Sequence, residues 1–121
     1  MPVNTEFSPK ILSQGVPYQN NVEEVLVNGA ILSVAGGLVY LTKATAGAFT
    51  LAVPYAGGAR ITLIATAAAA HVVTVADGLN GGASNTMTMT AVIGNGISLV
   101  SRGKKWYVDP GTNLNITLST V

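Results

Sequence analysis

The 121-residue sequence has no cysteine and few charged residues, and both shortages restrict what the protein can be. Without cysteine it has no disulfide, no thiolate metal ligand and no thiol nucleophile. Charged residues make up 9% of the chain, against roughly 25% in an average soluble domain. The exposed surface must therefore consist mainly of threonine, serine, asparagine, glycine and alanine. Such a surface suits a protein that lies against other proteins, and a weakly charged monomer is the alternative.

The charge is also nearly balanced, with six Lys and Arg against five Asp and Glu and a formal net charge of +1. We expect no nucleic-acid partner, because no basic face is available to displace counterions from phosphates. The basic and aromatic cluster 104–107 would suit a single strand, but lysines on a strand edge more commonly prevent pairing with other chains. No apolar run approaches about 18 residues and no secretory signal is visible, so we expect no membrane partner.

Residues suited to catalysis or metal binding are sparse. The single histidine, His71, begins a predicted strand, and no serine lies in a Gly-x-Ser-x-Gly turn. Glu23 and Glu24 are adjacent and would face opposite sides of a strand, so they do not form a glycosidase pair. Residues 77–80 match a calcium loop weakly, and residues 115–117 match a glycosylation sequon. We expect a non-enzymatic protein with no catalytic residue, no metal site and no cofactor.

What the sequence does contain is a strong β-hairpin signal over residues 97–108. Apolar and polar side chains alternate on both sides of a short break at Gly103, which predicts two strands joined by a tight turn. Trp106, the only tryptophan, alternates with Tyr107, so the two rings lie on opposite faces. We assign Trp106 to the core beside Ile97 and Leu99.

The other ring and the two lysines of this hairpin are left for the surface. Tyr107, Lys104 and Lys105 are therefore candidates for a surface contact or a trimer contact.

The rest of the chain from about residue 22 repeats the two-residue alternation, with turn residues roughly every ten positions. Asn28-Gly29 is a strong signal for a two-residue hairpin, whereas 65–70 is too short and too poorly capped to predict a helix. The sequence shows no repeat with a period of about 20 to 50 residues, which would indicate a solenoid. The prediction is all-β: an antiparallel β-sandwich or jelly-roll-like barrel of about nine or ten short strands, with residues 22–121 as a single domain.

Residues 1–21 differ in composition and are predicted to be an extended amino-terminal arm. Three prolines in polar surroundings fix φ and favour extended backbone before them. A frayed terminus is the alternative. Four apolar side chains of the arm are candidates for partner binding: Phe7, Ile11, Leu12 and Tyr18.

Residues 91–108, with Ile-Gly-Asn-Gly-Ile-Ser-Leu-Val followed by Gly-Lys-Lys-Trp-Tyr-Val, resemble a segment of the head decoration (cement) proteins of tailed bacteriophages. Residues 61–66 and 71–77 are similar to members of the same group, and the resemblance extends more loosely to phage fibre and spike β-modules. It implies a small all-β virion protein, commonly a homotrimer, that is made in the host bacterial cytoplasm. Its expected place is the outer capsid surface, where it binds the major capsid protein and stabilises the capsid by bridging neighbouring subunits.

A different class of function stays open at this point. A trimeric fibre or spike module would bind a receptor or a carbohydrate, and exposed tyrosines would stack on the sugar. The candidates for such stacking are Tyr40, Tyr55 and Tyr107.

Overall fold

The computed structural model describes residues 22–120, which form ten β-strands and no helix. The all-β prediction is confirmed. Within these residues, no helix is long and apolar enough to cross a membrane. The strands are β1 Val22–Val25, β2 Gly29–Ile31, β3 Gly37–Leu41, β4 Ala48–Leu51, β5 Arg60–Ala65, β6 Val72–Leu79, β7 Ser84–Met89, β8 Gly96–Arg102, β9 Lys105–Val108 and β10 Ile116–Ser119.

The first six strands alternate between two layers. β1, β3 and β5 pair in parallel in one layer, and β2, β4 and β6 pair in parallel in the other. Each successive pair of strands is thus one coil, and the three coils stack as in a β-solenoid. The predicted antiparallel pairing is wrong among these six strands, which pair with one another only in parallel. Each strand from β1 to β5 is followed by an arc that crosses to the other layer, whereas a hairpin would return the chain beside the same strand.

The Asn28-Gly29 dipeptide shows how the hairpin prediction failed. β1 and β2 flank it but do not pair with each other, since β1 pairs with β3 and β2 pairs with β4. The Asn28 side chain accepts a hydrogen bond from the Ala48 amide at 3.1 Å, and Gly29 has φ +137°. The dipeptide therefore makes an arc between layers and is held to the next coil.

The coils differ in length, which explains why no repeat is visible in the sequence. In the first layer the stacked positions are Val22, Leu38 and Thr62, which are 16 and 24 residues apart. The spacings in the second layer are 20 and 24 residues, since Gly29 pairs with Phe49 and Ala48 with Val72. An irregular spacing leaves no fixed period to detect.

Antiparallel strands complete both layers. β8 pairs with β5 and also with β9, which confirms the predicted hairpin and its turn at Gly103. β7 pairs with β6 on one side and β10 on the other. The two layers join where Leu79 of β6 pairs with Trp106 of β9.

The inward side chains of both layers form one hydrophobic core. Trp106 is its largest member and is 0% exposed, as predicted. Its indole Nε1 donates a hydrogen bond to the Ala52 carbonyl at 2.9 Å, which connects β9 to the arc after β4. Burial of each large apolar side chain is worth about 1.5–3 kcal/mol. The tryptophan thus fixes the hairpin and the coils relative to each other.

Candidate interaction surface

Three connecting segments meet at one end of the coils. These are the arc 32–36 before β3, the arc 52–59 before β5 and the turn 103–104 between β8 and β9. The Tyr55 amide donates to the Val34 carbonyl at 3.1 Å, which joins the first arc to the second. A Cβ built on Gly36 would lie 2.9 Å from the Arg60 carbonyl oxygen. The arcs are therefore in direct backbone contact.

Ser101, near the end of β8, joins the second arc to the hairpin. Its hydroxyl donates to the Ala56 carbonyl at 2.6 Å and accepts from the Ala59 amide at 2.8 Å. Its carbonyl accepts from the Gly58 amide at 3.0 Å. These three bonds hold Tyr55 and its neighbours beside the hairpin turn. The arc and the turn form one continuous surface as a result.

An open groove of about 490 Å³ occupies the first-coil side of this surface. We call it the groove, and its lining combines Ser33 and Gly36 with the apolar side chains of Val22, Leu32, Val34, Ala35 and Tyr55. Leu32 is 77% exposed and Tyr55 is 76% exposed. Large apolar side chains with this exposure, gathered in one concavity, are typical of a surface that contacts another molecule.

Glu23 is hydrogen-bonded to one wall of the groove. Its carboxylate accepts hydrogen bonds from the amides of Leu32 and Ser33 at 3.0 Å, and from the Ser33 hydroxyl at 2.9 Å. β1 belongs to one layer and the arc after β2 leaves the other. This carboxylate therefore closes the open end of the first coil and positions the exposed Leu32 side chain.

Positive charge lies at the hairpin turn, which contacts the arc that carries Tyr55. Arg102 of β8 lies directly opposite Lys105 of β9, with Lys104 in the turn between them. We call these three residues the basic tip. Asp77 is the carboxylate that approaches it, with 3.8 Å between an oxygen and the Lys105 Nζ.

Arg60, the fourth cation at this end, is neutralised. Its guanidinium forms an ion pair with the Asp109 carboxylate, and it lies opposite Val100 in the β5–β8 ladder. Within residues 22–120, the single cation elsewhere is Lys43, which follows the opposite end of β3. Positive charge is thus concentrated beside the groove.

The predicted surface candidates of the hairpin all lie at or near the basic tip. Lys104 and Lys105 are exposed, and Tyr107 is half-buried in β9 opposite Val100. Of the tyrosines proposed for sugar stacking, Tyr55 is well exposed and Tyr40 is half-buried. The predicted arm anchors, Phe7, Ile11, Leu12 and Tyr18, lie outside the described residues.

His71 lies away from this surface and is completely buried. Its Nδ1 accepts a hydrogen bond from the Gly47 amide at 3.0 Å, and its ring packs edge-on against Phe49 with 5.2 Å between centroids. The neutral ring therefore carries its hydrogen on Nε2, which is buried and has no hydrogen-bond partner among the described residues. Burial lowers the pKa of His71, the charge of Lys43 lowers it further, and the nearby polar backbone of Lys43 opposes both.

We expect His71 to make the protein less stable in mild acid. The unfolded chain binds a proton near pH 6.5, whereas the folded protein resists protonation because Nδ1 is engaged as an acceptor. The stabilisation is therefore complete above pH 6.5 and is lost as the pH falls below it, at up to about 1.4 kcal/mol per pH unit. Urea unfolding of the wild type and His71→Gln between pH 7.5 and 5 measures this contribution. A wild-type curve parallel to that of the variant would contradict it.

The remaining sequence candidates have structural roles. Asp77 and Asn80 adopt positive φ values of 62° and 54°, and the Asn80 side chain accepts from the Val108 amide at 3.0 Å. The side-chain amide of Asn115 donates a hydrogen bond to the side-chain oxygen of Asn95 at 3.2 Å. Among residues 22–120, no three metal-ligating side chains come together.

Sequence reasoning missed the groove and the role of Glu23. The hairpin predicted at Asn28-Gly29 would place Leu32 in its second strand, whereas β2 ends at Ile31 and Leu32 is exposed in the arc that follows. One signal for an exposed apolar surface was available in the sequence. Apolar residues flank Asn28-Gly29 on both sides, and they are more numerous than a half-buried strand of three residues needs.

Comparisons with family models, curated proteins and solved structures found no match to this chain.

Proposed function

We propose that this protein decorates the outer surface of a bacteriophage capsid, where it binds the major capsid protein and bridges neighbouring subunits as a homotrimer. The observation that supports the proposal is the groove, because a protein with 9% charged residues has here an open concavity in which the large apolar side chains of Leu32 and Tyr55 are exposed. We also propose that the two strand layers around one core serve as the sandwich that the spacing of the strands predicts, with stacked coils in place of hairpins.

The proposed mechanism is the addition of contact area across the seams between capsid subunits. Internal pressure acts to separate those subunits, and a bridging protein opposes separation by burying surface on both sides of a seam. Three linked copies raise the effective concentration of each contact, so that patches of modest affinity bind durably. Within this proposal the arm 1–21 supplies a second contact on the neighbouring subunit, through Phe7, Ile11, Leu12 and Tyr18.

Cosedimentation with emptied, expanded phage heads tests the proposal. We expect saturable binding of the wild type in multiples of three, with heads that resist heating better. The double variant Leu32→Asn/Tyr55→Asn should bind at least tenfold more weakly, because it removes the two most exposed apolar walls of the groove. A chain that begins at Val22 should also lose affinity, since it lacks the arm.

The matched control is Val92→Asn/Ile93→Asn. These two side chains are apolar and exposed, 50% and 66%, and lie in the loop before β8 away from the groove. Head binding by this control should equal that of the wild type. A wild type that ignores heads would defeat the proposal. If it then adheres to cells or glycans through the 76%-exposed Tyr55, the fibre or spike function would replace capsid decoration.

A further inference from the structure

We propose that the basic tip recognises carboxylate side chains of a protein partner, so that the complete surface fits an extended segment with apolar residues in the groove and acidic residues beside them. The inference rests on the proposed function for the identity of that partner. The basic tip adds the charge of the bound segment, which the groove by itself does not specify.

The placement of charge in the hairpin is the first argument. Arg102 and Lys105 lie directly opposite in the β8–β9 ladder, and like charges in that arrangement destabilise a strand pair. Lys104 adds a third positive charge within the turn. Folding of the isolated chain gains nothing from this arrangement, whereas a bound anion would offset the repulsion.

The second argument is that little among residues 22–120 neutralises the tip. Lys105 has Asp77 at 3.8 Å, but both side chains are more than half exposed, so water and salt weaken the pair. Within residues 22–120, no carboxylate forms an ion pair with Arg102 or Lys104. Two cations beside the groove therefore remain available to a partner.

The third argument is the rigid connection between tip and groove. The arc that carries Tyr55 is fixed to the hairpin by the three Ser101 hydrogen bonds. A Cβ built on Gly57 would lie 3.2 Å from the Gly103 amide nitrogen, so the arc also contacts the turn itself. One extended segment can therefore engage the apolar walls and the cations together.

A carboxylate-bearing segment suits this surface better than a nucleic acid. A single-strand site pairs cations with exposed rings on which bases stack. Trp106, the ring beside the lysines, is completely buried, and Tyr107 is half-buried. Tyr55 is exposed on the same surface, but a single ring does not provide a platform for successive bases. The cations of the tip can instead form charge-assisted hydrogen bonds with carboxylates.

Charge reversal at the turn tests the inference on phage heads. Lys104→Glu should weaken head binding about tenfold at 50 mM salt and reduce its dependence on salt, because it replaces an attraction with a repulsion. The control variant Lys43→Glu has the same net charge as Lys104→Glu, but its new carboxylate lies beyond the other end of β3. It should bind phage heads as the wild type does. Equal losses in the two variants would overturn the inference.

A second measurement separates this inference from the proposed function. Poly-L-glutamate added to the isotope-labelled full chain should shift the amide signals of residues 101–105 and of Tyr55, and the shifts should vanish in Lys104→Glu. This outcome would support the inference even if the protein ignored phage heads. Shifts spread over the whole surface would overturn it. Larger shifts with oligothymidylate or inorganic phosphate would also overturn it, in favour of phosphate binding.

Discussion

Trp106→Ala is expected to lower the free energy of unfolding by about 3–5 kcal/mol, the range for removal of a large buried aromatic side chain. The ring is 0% exposed and lies where β9 meets β6. The substitution would therefore leave a cavity in the hydrophobic core, lined by apolar side chains that water does not solvate well. The substitution also leaves the Ala52 carbonyl without its donor. A domain of ordinary stability would thereby lose a large part of its free energy of unfolding.

Urea denaturation followed by circular dichroism measures the loss. Tyr107→Ala is the matched control, since it removes an aromatic ring from the next position of the same strand, but from the half-buried face. Tyr107→Ala should lower the free energy of unfolding far less than Trp106→Ala does. Trp106→Phe should fall between them, because it keeps most of the apolar volume and loses the hydrogen bond. Equal costs for the two alanine variants would contradict the central position of Trp106.

Glu23→Ala is expected to destabilise the protein by about 2–3 kcal/mol and also to weaken partner binding. Hydrogen bonds to a charged group are each worth about 1.5–3 kcal/mol. This carboxylate accepts from two amides and one hydroxyl of the arc after β2. Without it the open end of the first coil loses the tie between its layers, and the Leu32 wall of the groove loses its position.

Glu24→Ala provides the control, because it removes an adjacent carboxylate that is exposed on the outer face. Denaturation midpoints and head cosedimentation should both separate the two variants. Amide exchange should accelerate at Leu32 and Ser33 in Glu23→Ala alone. Unchanged exchange at these amides would show that the carboxylate does not hold the arc.

Several elements were predictable from the sequence because their signal is local. The hairpin of β8 and β9 follows from alternation on both sides of a turn, and that alternation also places Trp106 inward. The inward positions of Met87 and Met89 follow in the same way from a strand in which they alternate with threonines. Element type and inward face need only a few adjacent residues.

The pairing of the strands was not predictable in this way. Asn28-Gly29 favours a hairpin in isolation, but the Asn28 side chain bonds to Ala48, twenty residues later, and the chain crosses between layers. Unequal coils of 16 to 24 residues hid the stacking from any search for a fixed period. The groove was missed for the same reason, since its walls come from three separate segments.

The sequence by itself determined that this chain is all-β, which side chains of its hairpin enter the core, and that it has no cysteine for a disulfide or a thiolate site. Periodicity and composition decide these properties because they depend on neighbouring residues and on residue type. The tertiary structure alone decided that the coils run in parallel, that Glu23 closes the first of them, and that the groove lies beside the basic tip. Those properties depend on contacts between residues far apart in the chain, such as Tyr55 with Val34 and Ser101 with Ala56, and such contacts form only when the layers assemble around one core.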